Sequence, residues 1–183
     1  MKNTFELLRN QNSQHPTVFA LQNLYEESFP AKERRHFQQL LTLLSEPDMY
    51  FFAVVAAKEV LGLCIYWQLE GFFFLEHLAI EPSHQGCGIG RQVMQWLLAR
   101  TGKKLVLEVE RQEDEQSIKR IQFYQRLLGF TLHSDFDYHQ PPYQKGGQPV
   151  PLYLMTAEPV AEAAELERIA SHIKHRVYER FYS

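Results

Sequence analysis

The chain has 183 residues, enough to bury one full core, and two independent domains of ordinary size would be cramped in it. At 45% hydrophobic, 13% aromatic and 22% charged, its composition excludes a disordered or fibrous protein. Nineteen Lys and Arg against 22 Asp and Glu leave a net charge of −3, without the basic excess that binding a nucleic-acid backbone requires.

The two cysteines, Cys64 and Cys87, form no paired spacing of a disulfide framework or zinc knuckle, and they suit a reducing compartment. Residues 1–10 mix charges into apolar positions, unlike a signal peptide. The longest apolar run, Phe51 to Ala57, is too short to cross a bilayer. A cytoplasmic protein with neither a nucleic-acid nor a membrane partner is the expectation.

Thr4 to Arg9 reads as an edge strand. Val18, Leu21, Leu24 and Tyr25 predict a helix from Thr17 to Phe29, capped by Thr17 and stopped by Pro30. A second helix is expected over Ala31 to Leu44, with Phe37, Leu40, Leu41 and Leu44 inward and Arg34 and Arg35 on a solvated face. Tyr50–Ala57, Val60–Leu69 and Phe72–Ile80 read as strands of an antiparallel meander. A helix ending near Gly102 and a strand over Leu105–Val109 complete a βαβ unit, which makes Phe72–Ile80 and Leu105–Val109 parallel neighbours. A helix over Glu113–Leu128, carrying Ile118, Ile121, Phe123, Tyr124, Leu127 and Leu128, stops at Gly129. Strands over Phe130–Phe136 and Val150–Met155 flank a polar excursion through Gln140–Gly147, a length usually functional or mobile. Pro159 to Phe181 reads as a helix with Leu166, Ile169, Ile173, Val177 and Phe181 on one stripe. The expected division is one domain over 1–157 and a C-terminal helix over 158–183 that packs on it or on a dimer partner.

The stretch with the most chemistry is Glu76–Arg91. An apolar strand with one carboxylate meets Pro82, then a loop with Gly86, Gly88 and Gly90, then a helix. A helix N-terminus leaves four N–H groups without intrahelical partners and carries about half a positive charge. Glycines remove the side chains that would keep a phosphate away from it. The third position of a dinucleotide-binding Gly-x-Gly-x-x-Gly falls on Arg91, and no Gly-Lys-Ser/Thr follows, so the Rossmann turn and the P-loop are set aside.

Gln85-Gly86-Cys87-Gly88-Ile89-Gly90 resembles the Gln/Arg-x-x-Gly-x-Gly signature of the GNAT superfamily of N-acetyltransferases. Leu78-Ala79-Ile80 before Pro82, and Phe123-Tyr124 to Gly129-Phe130 after the next strand, agree with it in position over roughly Tyr50 to Met155. The resemblance implies an α/β GNAT fold: a mixed central sheet with an antiparallel N-terminal meander, a splayed parallel central strand pair and flanking helices. It implies acetyl-CoA as cosubstrate, its pantetheine arm along Leu78, Ala79 and Ile80. Its pyrophosphate would lie on the N–H groups of Gln85, Gly86, Cys87, Gly88, Ile89, Gly90 and Arg91. It further implies Tyr124 as the acid that protonates the departing CoA thiolate, a sensible role for a phenol of pKa near 10. Ser117 stands where the family often has an asparagine that bonds the cofactor.

An acceptor amine must lose a proton before attacking the thioester, and a carboxylate is the usual base. By strand alternation Glu76 lies with Phe74, Leu78 and Ile80 while His77 points oppositely, and Glu76 is the first choice. Glu108 and Glu110 are the rivals, and ordered water serves in many relatives. A carboxylate on an aromatic strand sits either at a wet cleft or beside a cation. The expected reaction is acetyl transfer to a primary amine, small or peptidic, in a ternary complex without a metal; a homodimer is allowed. The alternatives are a non-catalytic CoA-binding module of the same fold and an acyltransferase with another donor or acceptor.

Overall fold

The computed structural model describes residues 5–102 and 104–182, so the expected strand residue Thr4 lies outside it. Among the described residues the strands follow the hydrogen-bonded order β1-β2-β3-β4-β5-β7-β6, a mixed sheet whose one parallel pair is β4–β5. The chain falls into two compact units, Met1–Gln68 with Leu75–Val93, and Leu69–Phe74 with Met94–Ser183. No helix of the described residues is long and apolar enough to cross a membrane.

In the first unit, β2 (Met49–Ala56) and β3 (Glu59–Gln68) pair antiparallel, as the meander predicts, and β1 (Glu6–Arg9) pairs antiparallel with β2 as the edge strand. The β2–β3 turn places Ala57 and Lys58 at φ +50° and +69°, a left-handed pair that matches the twist of a tight hairpin. β4 (Phe73–Ile80) follows. A Cβ on Gly62 would stand 2.5 Å from the Ala79 carbonyl oxygen and 2.7 Å from Ile80 Cδ1, so glycine lets β3 approach the end of β4. Helix α1 (Pro16–Ser28) buries Val18, Leu21, Leu24 and Tyr25. It begins one residue earlier than expected, because proline fits the first helical position and His15, not Thr17, accepts the capping bond.

The expected helix over Ala31–Leu44 is broken. A 3-10 turn at Ala31–Glu33 ends at an extended Arg34, and α2 (Phe37–Thr42) starts anew before a second 3-10 turn at Leu43–Ser45. Side chains pull the backbone out of helix: Arg34 Nε donates to the Phe29 carbonyl at 3.0 Å, and the Arg35 backbone N–H donates to the Tyr25 hydroxyl at 3.0 Å. Arg35, expected on a solvated face, is fully buried.

In the second unit, β5 (Leu105–Glu110) and β6 (Thr131–Gln140) each pair antiparallel with β7 (Val150–Thr156). β6 runs four residues past the expected Phe136, through an irregularity between His133 and Tyr138. Helices α3 (Ile89–Arg100), α4 (Glu115–Gln122) and α5 (Ala163–Ile173) occupy expected places. α4 and α5 both pass into π-helical turns, Phe123–Leu127 and Lys174–Tyr178, and the second leads into a 3-10 turn at Glu179–Phe181. The extra residue in each turn rotates the stripe that a regular helix would present. Leu127, expected inward, is 49% exposed, whereas Tyr178 is buried beside Val177.

Candidate active site

β4 ends where Glu81 N–H donates to the Leu61 carbonyl at 2.8 Å, and a 3-10 turn over Pro82–His84 lifts the chain off the sheet. Gln85 then folds back, its Nε2 donating to the Ile80 carbonyl at 2.8 Å, so the first signature residue closes the loop on its own strand. Gly86 and Gly88 adopt φ +77° and +79°, a conformation that strains any other residue, and a Cβ at either would meet nothing within 4 Å. These two glycines therefore serve backbone conformation and open an unobstructed approach. Ile89 is buried and anchors the first turn of α3, while Cys87 and Arg91 are exposed. Gly90 sits where a Cβ would lie 3.7 Å from Ile80 Cγ1, an ordinary packing distance. The loop leaves the N-terminal N–H groups of α3 open to approach, with Arg91 exposed in the first helical turn, and a helix N-terminus of this kind favours an anion.

Glu76 resolves the choice between a wet cleft and a cation in favour of the cation. Its side chain is 1% exposed and Oε1 stands 3.5 Å from Arg35 Nη2, whose side chain is 0% exposed. Trp67 on β3 donates Nε1–H to Glu76 Oε2 at 2.6 Å. The residue as a whole is only partly covered, so solvent at this position reaches main chain; Leu78 and Ile80 are likewise half-buried. His77 Nε2 lies 3.9 Å from Glu76 Oε1 and 3.5 Å from the Tyr25 hydroxyl, between the rings of Tyr25 and Phe29. Burial lowers the His77 pKa to about 4 against the opposing pull of Glu76, so the imidazole is neutral at pH 7. Burial, with the charge of Glu76, raises the Tyr25 phenol, which stays protonated.

Tyr124 lies in the π-helical turn after α4, 9% exposed, with the rings of Phe123 at 5.2 Å and Phe130 at 5.7 Å. The Phe130 N–H donates to the Tyr124 carbonyl at 3.1 Å, so the Phe-Tyr…Gly-Phe spacing is a structural closure around the tyrosine. Ser117 is committed elsewhere. It completes a capping box with Asp114, accepting from that residue's backbone N–H at 3.1 Å while its own N–H donates to Asp114 Oδ1 at 2.7 Å. Those bonds hold the Asp114 carboxyl below the usual range.

The rival carboxylates differ from Glu76. Glu110 pairs with Arg120 at the surface. Glu108 accepts from two phenols, Tyr178 to Oε2 at 2.8 Å and Tyr138 to Oε1. Arg35, Trp67, Tyr138 and Tyr178 do not stand out in the sequence. Arg35 lies far from Glu76 in the chain, Trp67 sits on a different strand, and Tyr178 is off the 3.6-residue stripe until a π-turn brings it inward. A weak signal for Tyr138 is its two-residue alternation with Phe136 and Gln140 beyond the expected end of β6.

The model of the acetyltransferase (GNAT) family matches residues 18–130. No curated protein matches the chain. Among solved structures, one assigned to the GNAT family, from Bacteroides thetaiotaomicron, is 29% identical over 96% of this chain and 98% of its own, with a TM-score of 0.83. Two others share the fold. The ribosomal-protein-S18-alanine N-acetyltransferase of Escherichia coli is 17% identical over 87% of this chain and 97% of its own, TM-score 0.59. An aminoglycoside 6'-N-acetyltransferase complexed with coenzyme A is 16% identical over 86% and 99%, TM-score 0.58.

Proposed function

Because the chain belongs to the GNAT acetyltransferase family, whose members transfer acyl groups from acyl-CoA, we propose that it moves acetyl from acetyl-CoA to a primary amine by direct attack in a ternary complex. The observation that carries the donor half is the loop at Gln85–Arg91, with Gly86 and Gly88 left-handed and open on the side a phosphate would approach. Its N–H groups hold the pyrophosphate, and the main chain of Leu78, Ala79 and Ile80 pairs with the pantetheine arm.

The chemistry balances with one proton released. The ammonium loses a proton, the free amine attacks the thioester carbonyl, the C–S bond of the tetrahedral intermediate breaks, and Tyr124 gives its phenolic proton to the CoA thiolate. The proton still on nitrogen then restores the phenol, leaving an amide and free CoA thiol. Glu76, the base that strand alternation singles out, has Oε2 bonded to Trp67 and Oε1 facing Arg35. As the base it takes the amine's proton only once the acceptor or a water displaces one of these partners, with Glu108 and ordered water its rivals.

The test is CoA thiol release with a broad amine panel. Tyr124→Phe should lower kcat by about 10²-fold or more with acetyl-CoA affinity nearly unchanged. Turnover equal to wild type would remove Tyr124 as the acid. Glu76→Gln should alter the pH profile of the rate, and an unaltered profile passes the base role to Glu108 or solvent. A chain that binds CoA, seen as a raised Tm, yet releases no thiol with any amine would overturn the transfer itself.

A further inference from the structure

Gly62 lies inside β3, where a glycine weakens a strand and brings no side chain to pack. Its backbone is not left-handed, so the position needs glycine for space and not for conformation. A Cβ there would stand 2.5 Å from the Ala79 carbonyl oxygen and 2.7 Å from Ile80 Cδ1, closer than side chains pack. β3 also bulges at this point: Gly62 pairs with Val54 and Val60 with Val55, which leaves Leu61 as the extra residue. The Leu61 carbonyl accepts the Glu81 N–H at 2.8 Å. Bulge and glycine together grip the last residues of β4 from one side.

Ile80 carries that grip to α3. Carbonyls alternate in direction along a strand, so with the Ala79 carbonyl toward β3 that of Ile80 faces away, and there it accepts from Gln85 Nε2 at 2.8 Å. The Ile80 side chain fills the notch that Gly62 leaves, and its Cγ1 lies 3.7 Å from where Gly90 would carry a Cβ. One side chain thus packs against a glycine of β3 and a glycine in the first turn of α3. Gly86 and Gly88 meet nothing within 4 Å, whereas Gly90 packs toward Ile80. The two contacts fix the spacing between the end of β4 and the N-terminus of α3.

A ligand that meets the strand with its arm and the helix N-terminus with its pyrophosphate gains from both only where their separation matches its own, since linked groups bind together only if both can engage. We propose, resting on the donor reading above, that Gly62 is a positioning residue for acetyl-CoA: through Ile80 it sets the distance between the arm site and the pyrophosphate site without touching the cosubstrate. The signature loop supplies the N–H groups, and β3 decides where they stand relative to β4. A side chain at position 62 pushes the Ala79 carbonyl and Ile80 away from β3, and the shift reaches both parts of the donor site. One added methyl group therefore acts on the cosubstrate and leaves the amine alone.

Calorimetry of CoA binding to the full chain tests this, with Tm as the check on folding. Gly62→Ala should weaken CoA about tenfold or more and raise KM for acetyl-CoA by a similar factor, with KM for the amine unchanged. Val54→Ala, at the position paired with Gly62 on β2, removes buried packing and lowers Tm but adds nothing against β4, so it should keep the wild-type CoA affinity. If Gly62→Ala does not fold, Ile80→Val decides: it takes only Cδ1 out of the notch, and a several-fold loss of CoA affinity is expected. Wild-type CoA affinity in a folded Gly62→Ala, or in Ile80→Val where that variant stands alone, overturns the positioning role. An equal loss in Val54→Ala does the same, because general softening would then account for it. A wild-type chain that binds no CoA removes the donor reading itself, and the positioning role with it.

Discussion

Glu76 on β4 and Glu108 on β5 are carboxylates of the same length on equally apolar strands, and they are stabilised in opposite ways. Glu76 is met by a buried guanidinium and an indole N–H, and its side chain is closed to solvent. Glu108 is met by two phenols and is half open. A cation offsets the charge of Glu76 and ties Arg35, from the break between α1 and α2, to the sheet. Two phenols orient Glu108. The same residue type is thus held in two ways: by a cation and an indole in one unit, by two phenols in the other.

The largest expected effect comes from removing the fastening's cation. Arg35→Met leaves Glu76 buried without its guanidinium and should cost about 3–5 kcal/mol of stability, read as a fall in Tm or in denaturant midpoint. The double variant Arg35→Met/Glu76→Gln should recover a good part of that loss, because the charge left behind is the expensive item. If the double variant is no better than the single, the pair is not coupled and the contrast with Glu108 fails.

That fastening also shows where the sequence stops being readable. The loop conformation is visible at Gly86 and Gly88 because a left-handed backbone has a local residue preference, and the stripe of α1 is visible because Val18, Leu21 and Tyr25 sit within a few turns of one another. The Arg35–Glu76 pair spans 41 positions, and helical spacing alone puts Arg34 and Arg35 on a solvent face; only the bonds to Phe29 and Tyr25 reveal that the helix is broken there. Tyr178 is hidden for another reason: a single inserted residue in a π-turn shifts the inward face, and no periodicity of 3.6 anticipates it. Ser117 is a middle case, since its spacing from Asp114 is that of a helix cap, which explains the residue without the cofactor.

His77 reports on the Glu76 side with a somewhat smaller effect. Its folded pKa is about 4 against an ordinary 6.5, through burial first, with Arg35 and Arg34 adding to the lowering and Glu76 opposing it. As pH falls below 6.5 the unfolded chain takes up a proton that the folded imidazole refuses, so stability declines until about pH 4 and then levels. The span corresponds to about 3 kcal/mol. His77→Gln should flatten this part of the Tm-against-pH curve, and Glu76→Gln should deepen it by removing the one charge that favours protonation. An identical acid limb in wild type and His77→Gln would show that His77 is not the group that titrates.

Tyr138 reports on the Glu108 side with the smallest change. Tyr138→Phe deletes one charge-assisted bond but leaves Tyr178 on the other oxygen, so the expected loss near neutral pH is about 2 kcal/mol, below that of Arg35→Met. Burial, reinforced by the charge and hydrogen bond of Glu108, raises the Tyr138 phenol well above 10. Above pH 10 the unfolded chain therefore gives up a phenolic proton that the folded chain keeps, and the wild type loses stability as pH rises. The phenylalanine variant has no such proton to lose. Its stability should fall less steeply on the alkaline side, so the gap between the two curves, widest near neutrality, narrows above pH 10. Parallel alkaline limbs would mean that Tyr138 ionises alike in both states, and that the carboxylate on β5 is not held by it.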